Sequence, residues 1–136
     1  MRDPLPQYPG YALRRAAHAT AVQLAMRLGE IGLKQVDASL LFLVEANPAV
    51  TASALGRQLD IQRANMVPLL KRLEDAGWID RTPIDGKSQG LALTAEGAKV
   101  AAQARAIVDA FEAELIARVP AEHRDHLLPA LDALWR

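Results

Sequence analysis

The chain has no cysteine among its 136 residues, which excludes disulfide bonds, thiolate metal ligands and thiol redox switches. Aromatic residues are scarce at 4%, whereas alanine and leucine, both strong helix formers, recur throughout. The 16 basic and 16 acidic residues cancel, so the broad positive charge typical of nucleic-acid-binding proteins is missing. These shortages predict a mostly α-helical protein in which any DNA-binding surface must be local.

Long apolar runs are also missing. The longest strongly apolar run is Leu40 to Val44, well short of the roughly 18 residues that cross a bilayer. Met1 to Pro4 opens no secretory signal, so we expect a cytoplasmic protein without a membrane partner. The 51% apolar fraction is enough for one core, and residues 1–136 are expected to form a single domain.

Catalytic motifs are absent as well. The sequence contains no Gly-rich phosphate loop, no Gly-x-Ser-x-Gly and no His-Glu-x-x-His. We therefore expect no enzymatic activity, no catalytic residues and no cofactor. His123 and His126 have a spacing that could hold a metal on a helix, but a surface pair is the simpler interpretation, and no metal site is predicted.

Apolar periodicity predicts two helices in the first third of the chain. Met1 to Pro9, which contains three prolines, is expected to be an irregular arm. Apolar residues at three- and four-residue steps then predict a long amphipathic helix from Gly10 to Ile31, which ends at Gly32. A second helix, Val36 to Ala46, is expected to stop before Asn47-Pro48.

The middle of the chain predicts two more helices and a hairpin. Thr51 can cap a short third helix with its hydroxyl, and the fourth helix spans Ile61 to Ala76. Gly77 is suited to end that helix in a left-handed conformation. Two short strands around a Gly-containing turn, Trp78 to Ile84 and Gln89 to Leu93, complete this region.

The last third predicts two further helices. Thr94 can cap a fifth helix of about twenty residues with a broad apolar stripe. Val119-Pro120 ends it, and a final helix runs from Ala121 to Leu134. Pro129 is expected to bend or interrupt that final helix, because proline removes a backbone donor and crowds the preceding turn.

The order helix, turn, helix, hairpin is that of a winged helix-turn-helix, whose second helix enters the major groove of DNA. Arg63 could bond guanine, Gln62 or Asn65 could pair with adenine, and Val67 could touch a thymine methyl. The alternative is that this surface is only the solvated face of an amphipathic helix. The predicted DNA-binding residues are Ser53, Gln62, Arg63, Asn65, Val67, Pro68, Lys71, Arg72, Arg81, Asp85 and Lys87.

Two of these residues need their own account. Pro68 deletes a backbone hydrogen bond inside the fourth helix, so the helix is expected to bend there or to have a loose first turn. Lys87 lies at the hairpin tip, where it and Arg81 could contact phosphates or the minor groove. The residues from Thr51 to Thr94 are almost electrically neutral, which predicts modest non-specific affinity.

Several segments together resemble the MarR family of bacterial regulators. The resemblance lies in Leu55-Gly56-Arg57-Gln58-Leu59, in the run from Leu69 to Arg81, and in Leu93-Thr94-Ala95-Glu96-Gly97. It implies a homodimer in which residues 9–32 and 98–136 supply dimerisation helices and residues 33–97 form the DNA-binding lobe. It also implies a repressor of a pseudo-palindromic operator in double-stranded DNA.

The sequence departs from the family pattern at two points. Members usually carry arginine in the wing where this chain has Lys87, which keeps the charge but loses the planar fork. The run from Pro68 to Glu74 resembles the peroxide-sensing branch, yet those members sense through a cysteine. Without a cysteine, that mechanism is excluded here.

Members of the family commonly bind a small aromatic or phenolic effector in a crevice between the dimerisation helices and the DNA-binding lobe. By this resemblance the crevice is expected near His18, Val22, Phe42 and Phe111. An effector acts only if it prefers the lobe spacing that DNA disfavours. The remaining alternative, motivated by the zero net charge, is a winged-helix protein-interaction module without sequence-specific DNA binding.

Overall fold

The computed structural model describes residues 1–136 as six helices and one two-stranded antiparallel sheet. The expected class, mostly α with a small β wing, is confirmed. Two 3-10 turns, Leu5–Gln7 and Ala121–His123, accompany the regular elements. The elements are α1 Pro9–Gly29, α2 Gln35–Ala46, α3 Ala52–Leu59, α4 Arg63–Asp75, β1 Ile79–Pro83, β2 Gln89–Leu93, α5 Ala95–Arg118 and α6 Arg124–Asp132.

Local signals set several helix ends as predicted, but α1 ends at Gly29 rather than Ile31 and α4 begins at Arg63 rather than Ile61. The Thr51 hydroxyl accepts the Ala54 N–H at 3.2 Å, and the Thr94 hydroxyl accepts the Gly97 N–H at 2.9 Å. Each of these bonds satisfies a donor that the first helical turn leaves unpaired. Gly77 ends α4 with a φ of +77°, a conformation that costs glycine little.

The wing is anchored at its base to the start of α5. Ile79 pairs with Leu93 at the base of the hairpin, and Pro83 pairs with Gln89 near its tip. The Thr94 hydroxyl donates to the Gly77 carbonyl at 2.5 Å. A side chain at Gly97 would overlap the Trp78 carbonyl, so the close approach of α5 to the wing requires glycine there.

The main core lies between α2, α3, α4, β2 and the first half of α5. Amphipathic helices bury their apolar stripes here, as the periodicity predicted. By contrast, α1 buries only Leu28, and α6 buries no residue. The fully buried large side chains are Leu28, Leu40, Leu41, Leu55, Met66, Leu70, Leu73 and Leu91.

The chain ends depart from expectation. The arm contains the turn Leu5–Gln7 and is therefore not wholly irregular. The final helix is shorter than predicted, because Ala121–His123 is a 3-10 turn and α6 ends at Asp132. Pro129 lies inside α6 without ending it, and Pro68 lies inside α4 in the same way. None of the helices has the length and apolar character needed to span a bilayer.

Candidate nucleic-acid interface

An open groove of about 970 Å³ separates α3 and the start of α4 from the wing. Seven of the eleven predicted DNA-binding residues line it, and they come from α3, the start of α4 and the wing. These are Ser53, Gln62, Arg63, Val67, Arg81, Asp85 and Lys87. The other four, Asn65, Pro68, Lys71 and Arg72, lie on α4 outside the groove lining.

The charge of the groove differs from that of the chain. Four cationic side chains line it, Arg57, Arg63, Arg81 and Lys87, and only Asp60 and Asp85 oppose them. Since a DNA-binding surface must attract phosphates, a local surplus can serve where the total charge is zero. The groove therefore supplies the local surface that the neutral composition required.

The turn between α3 and α4 places the start of α4 at the mouth of the groove. The Ile61 N–H donates to the Gly56 carbonyl at 2.8 Å, and Asp60 adopts a left-handed φ of +52°. Gln62 is the residue that precedes α4, so its side chain and that of Arg63 project from the first turn. Val67 follows one turn later with 58% of its surface exposed.

The cations differ in how far other side chains engage them. Arg81 pairs with Glu74, and Lys71 pairs with Asp75 at 3.1 Å. Neither Arg63 nor Lys87 forms a salt bridge or a side-chain hydrogen bond within the chain. These two side chains are therefore available to an external anion, and Arg57 forms no salt bridge either.

Arg57 is a groove residue that sequence reasoning missed. It donates to the Ser53 hydroxyl at 2.9 Å, one turn earlier on α3. The signal was the spacing of Ser53 and Arg57, since residues four apart on a helix are neighbours. Arg57 therefore places both a guanidinium and an oriented hydroxyl on the α3 side of the groove.

Asp85 shapes the wing tip. Its carboxylate accepts the backbone N–H groups of Lys87 and Ser88, both at 2.8 Å. These two hydrogen bonds to the charged form lower the pKa of Asp85 below its ordinary value. The carboxylate thus organises the turn that presents Lys87, which gives Asp85 a role in loop geometry.

Arg72 requires a correction to the sequence-based interpretation. Its guanidinium pairs with Asp37, whose side chain is 3% exposed at the start of α2. The sequence placed Arg72 on the same exposed face as Arg63. In the structure Arg72 instead binds a buried carboxylate 35 residues away in the sequence. Local periodicity could not reveal this contact.

The four residues expected near an effector lie in different surroundings. Phe111 is buried, with the Arg27 guanidinium 5.4 Å from its ring centre, and Phe42 has the Arg105 guanidinium at 4.4 Å. Arg105 also pairs with Glu45, on the same helix as Phe42. His18 and Val22 are exposed on α1.

An ion pair also lies beside the Phe111 ring, as the pair of Arg105 and Glu45 lies beside Phe42. The Arg27 side chain hydrogen-bonds Glu114, which raises the pKa of Arg27 and lowers that of Glu114. This pair joins α1 to α5.

No three His, Cys, Asp or Glu side chains come together in a way that could hold a metal.

Comparison with known proteins places the fold in a family. A sequence model of the MarR family matches residues 31–88. The solved structure of the transcriptional repressor CouR bound to a 23-mer DNA duplex superposes with a TM-score of 0.89. It is 32% identical, and the match covers 97% of this chain and 95% of that one.

This chain belongs to the MarR family of transcriptional regulators.

A second structure of CouR and one further relative agree with the assignment. CouR bound to p-coumaroyl-CoA gives a TM-score of 0.88 at 30% identity, covering 100% of this chain and 97% of that one. The HTH-type transcriptional repressor Rv2887 of Mycobacterium tuberculosis is 28% identical over 92% of this chain and 91% of its own length. Its structure in complex with salicylic acid has a TM-score of 0.73 and covers 93% of this chain and 96% of that one. The predicted family and its winged-helix fold are confirmed.

Proposed function

We propose that this MarR family protein is a homodimeric repressor that binds a pseudo-palindromic site in duplex DNA. The observation that carries the proposal is the cationic groove between α3, α4 and the wing. The major groove, about 12 Å wide, admits one α-helix. In helix-turn-helix proteins the N-terminal half of the second helix reaches the base edges, and here every residue from Arg63 to Pro68 except Met66 is exposed.

The exposed residues of α4 can read bases through distinct chemistry. Arg63 suits the two acceptors of guanine, and Gln62 or Asn65 suits adenine. Val67 offers a methyl contact to thymine. Each good pairing contributes about 1–3 kcal/mol of discrimination between bases. Lys87 and Arg81 would meet phosphates or the minor groove, which adds affinity without sequence information.

The dimer is proposed from the apolar surface that the monomer leaves open. We assign residues 9–32 and 98–136 to dimerisation and residues 33–97 to the DNA-binding lobe. A second copy would cover the apolar side chains of α1, the end of α5, α6 and the chain ends, and two-fold symmetry would impose inverted half-sites on the DNA. The exposed large side chains concerned include Leu5, Leu13, Val22, Met26, Ile116, Leu128, Leu134 and Trp135.

We further propose that a small aromatic or phenolic acid, or its thioester, releases the protein from DNA. CouR has been solved with p-coumaroyl-CoA, and Rv2887 with salicylic acid. In this chain Arg105 already contacts an aromatic ring, that of Phe42, and the carboxylate of Glu45. An aromatic acid carries the same two groups, so it could compete for Arg105 and alter the contact between α2 and α5.

A salt titration tests DNA binding most simply. Binding of the full chain to a duplex that carries its own promoter should weaken steeply between about 50 and 200 mM salt, because phosphate contacts release counterions. A fragment without the promoter, measured in parallel, should bind more weakly. Binding that is absent, or that does not respond to salt, would favour the protein-interaction module instead.

A further inference from the structure

Asp37 is the buried charged residue of this molecule, with 2% of its surface exposed. Its two carboxylate oxygens serve different elements. One accepts the Lys34 N–H at 2.8 Å at the start of α2, and the other accepts the Arg72 guanidinium from α4. A single carboxylate therefore joins the beginning of α2 to the helix that carries the proposed reading surface.

Arg72 lies on the opposite side of α4 from the groove. It follows Arg63 by nine residues, which is about two and a half helical turns. Arg63, Met66, Val67 and Leu70 line the groove, and Arg72 does not. With Arg63 directed at a DNA major groove, Arg72 would face the body of the protein.

We propose that Arg72 is a positioning residue for DNA binding, and that its pairing with Asp37 holds α4 at the angle the major groove requires. The proposal rests on the proposed DNA-binding function. Leu70 and Leu73 also hold α4 against the core, but apolar contacts have no preferred direction. A hydrogen-bonded ion pair fixes one geometry, which is how buried charges can specify a packing arrangement.

The other ion pairs of α4 do not serve this purpose. Lys71 and Asp75 both belong to α4, so their pair constrains only that helix. Glu74 pairs with Arg81 of β1, so this pair ties α4 to the wing and not to α2. The Arg72 pair is thus the charged contact that relates α4 to α2, and α2 in turn packs on α5.

Asp37→Asn gives a test in which the loss of charge and the loss of positioning are expected to change the affinity for DNA in opposite directions. Removal of a negative charge from a DNA-binding protein should by itself tighten binding, since the protein then repels phosphates less. If Asp37 positions α4, the variant should instead bind the promoter duplex about tenfold more weakly than the wild type. The matched control is Asp75→Asn, an exposed carboxylate on α4, which should bind no more weakly than the wild type.

Arg72→Gln separates positioning from a direct phosphate contact. A lost phosphate contact lowers the slope of log affinity against log salt by about one. A lost positioning contact lowers the affinity at every salt concentration and leaves the slope unchanged. The double variant with Asp37→Asn should bind no worse than either single variant, because both changes break one interaction.

Three results would overturn the inference while DNA binding by the wild type stands. These are tighter or unchanged binding by Asp37→Asn, a reduced salt slope for Arg72→Gln, or additive losses in the double variant. Circular dichroism checks that each variant is folded. If Asp37→Asn or Arg72→Gln does not fold, Arg72→Lys decides, since it should weaken binding without changing the slope. Failure of the wild type itself to bind would count against the proposed function instead.

Discussion

The winged lobe, residues 33–97, and the flanking helices α1 and α6 differ in how much of their apolar surface they bury. Within residues 33–97 the helices α2, α3 and α4 and strand β2 close over a common core that includes Leu41, Leu55 and Leu91. The flanking helices α1 and α6 leave most of their apolar side chains open. The lobe buries its core within one chain, with Leu28 of α1 and Ala101 and Ala104 of α5 completing it. In the proposed dimer, a second copy covers the open side chains of α1 and α6.

The difference also appears in polar contacts. The lobe fixes its geometry with caps and with the half-buried pair of Asp37 and Arg72. The flanking helices are joined to the rest mainly by exposed contacts, such as that of Arg27 with Glu114. Exposed pairs contribute little because water screens them. In the proposed dimer, burial of apolar surface between two copies would supply most of the energy that orders α1 and α6.

The sharpest test of this contrast makes the same type of substitution, leucine to alanine, at one residue of each region. Leu41→Ala in the buried core should lower the free energy of unfolding by about 2–5 kcal/mol, because it leaves a cavity. Leu128→Ala, at a side chain 66% exposed, should instead weaken self-association, with a smaller effect on the lobe. Chemical denaturation and sedimentation equilibrium measure the two effects. An unchanged dimer constant for Leu128→Ala would contradict the proposed use of α6.

The junction between the two regions can be broken at Gly97. An alanine there would overlap the Trp78 carbonyl, so Gly97→Ala should destabilise the protein by about 1–3 kcal/mol as α5 is pushed from the wing. Gly29→Ala at the end of α1 meets no atom within 4 Å and is the matched control. Thermal unfolding should show a loss for Gly97→Ala alone, and equal melting temperatures would refute the close contact.

Within the lobe, the reading helix and the wing should respond differently to loss of a cation. Arg63→Ala should lose about 1–3 kcal/mol of preference at one base position. Lys87→Ala should weaken binding to all sequences alike and lower the salt slope by about one. Selection of bound sequences with each variant measures both effects. Unchanged base preference for Arg63→Ala would remove it from the reading surface.

The smallest expected effect is the pH response of the wing tip. Because the folded wing lowers the pKa of Asp85, its turn gains stability above the ordinary aspartate pKa of about 4. That stability is lost as the pH falls through the lower, folded value. Amide shifts of Lys87 and Ser88 followed by NMR should therefore move at a pH below 4, and Asp85→Asn should abolish the transition. A transition at or above pH 4 would contradict the two hydrogen bonds.

Much of the fold could be predicted because its signals are local. The hydroxyls of Thr51 and Thr94 bond donors three residues on, and Gly77 marks a helix end. A local pattern also identified seven of the 19 residues that line the groove. It could not reveal that Arg72 pairs with Asp37 or Arg81 with Glu74, because those partners meet only after the chain has folded.

The residues expected near an effector also show that a local pattern does not reveal contacts between helices. Phe42 and Phe111 were expected in one crevice, yet each ring packs under its own arginine, Arg105 or Arg27. Their joint use by a ligand stays a prediction. A periodic pattern tells which face of a helix is apolar, but the cation that covers an aromatic ring comes from another helix.

In vitro selection of bound duplexes tests the central claim most directly, because it reports dimer symmetry and base readout together. One DNA-binding lobe on each side of a shared helical interface predicts two inverted half-sites, with centres about one helical turn apart. Enrichment of a single asymmetric half-site, or of no sequence at all, would contradict the account.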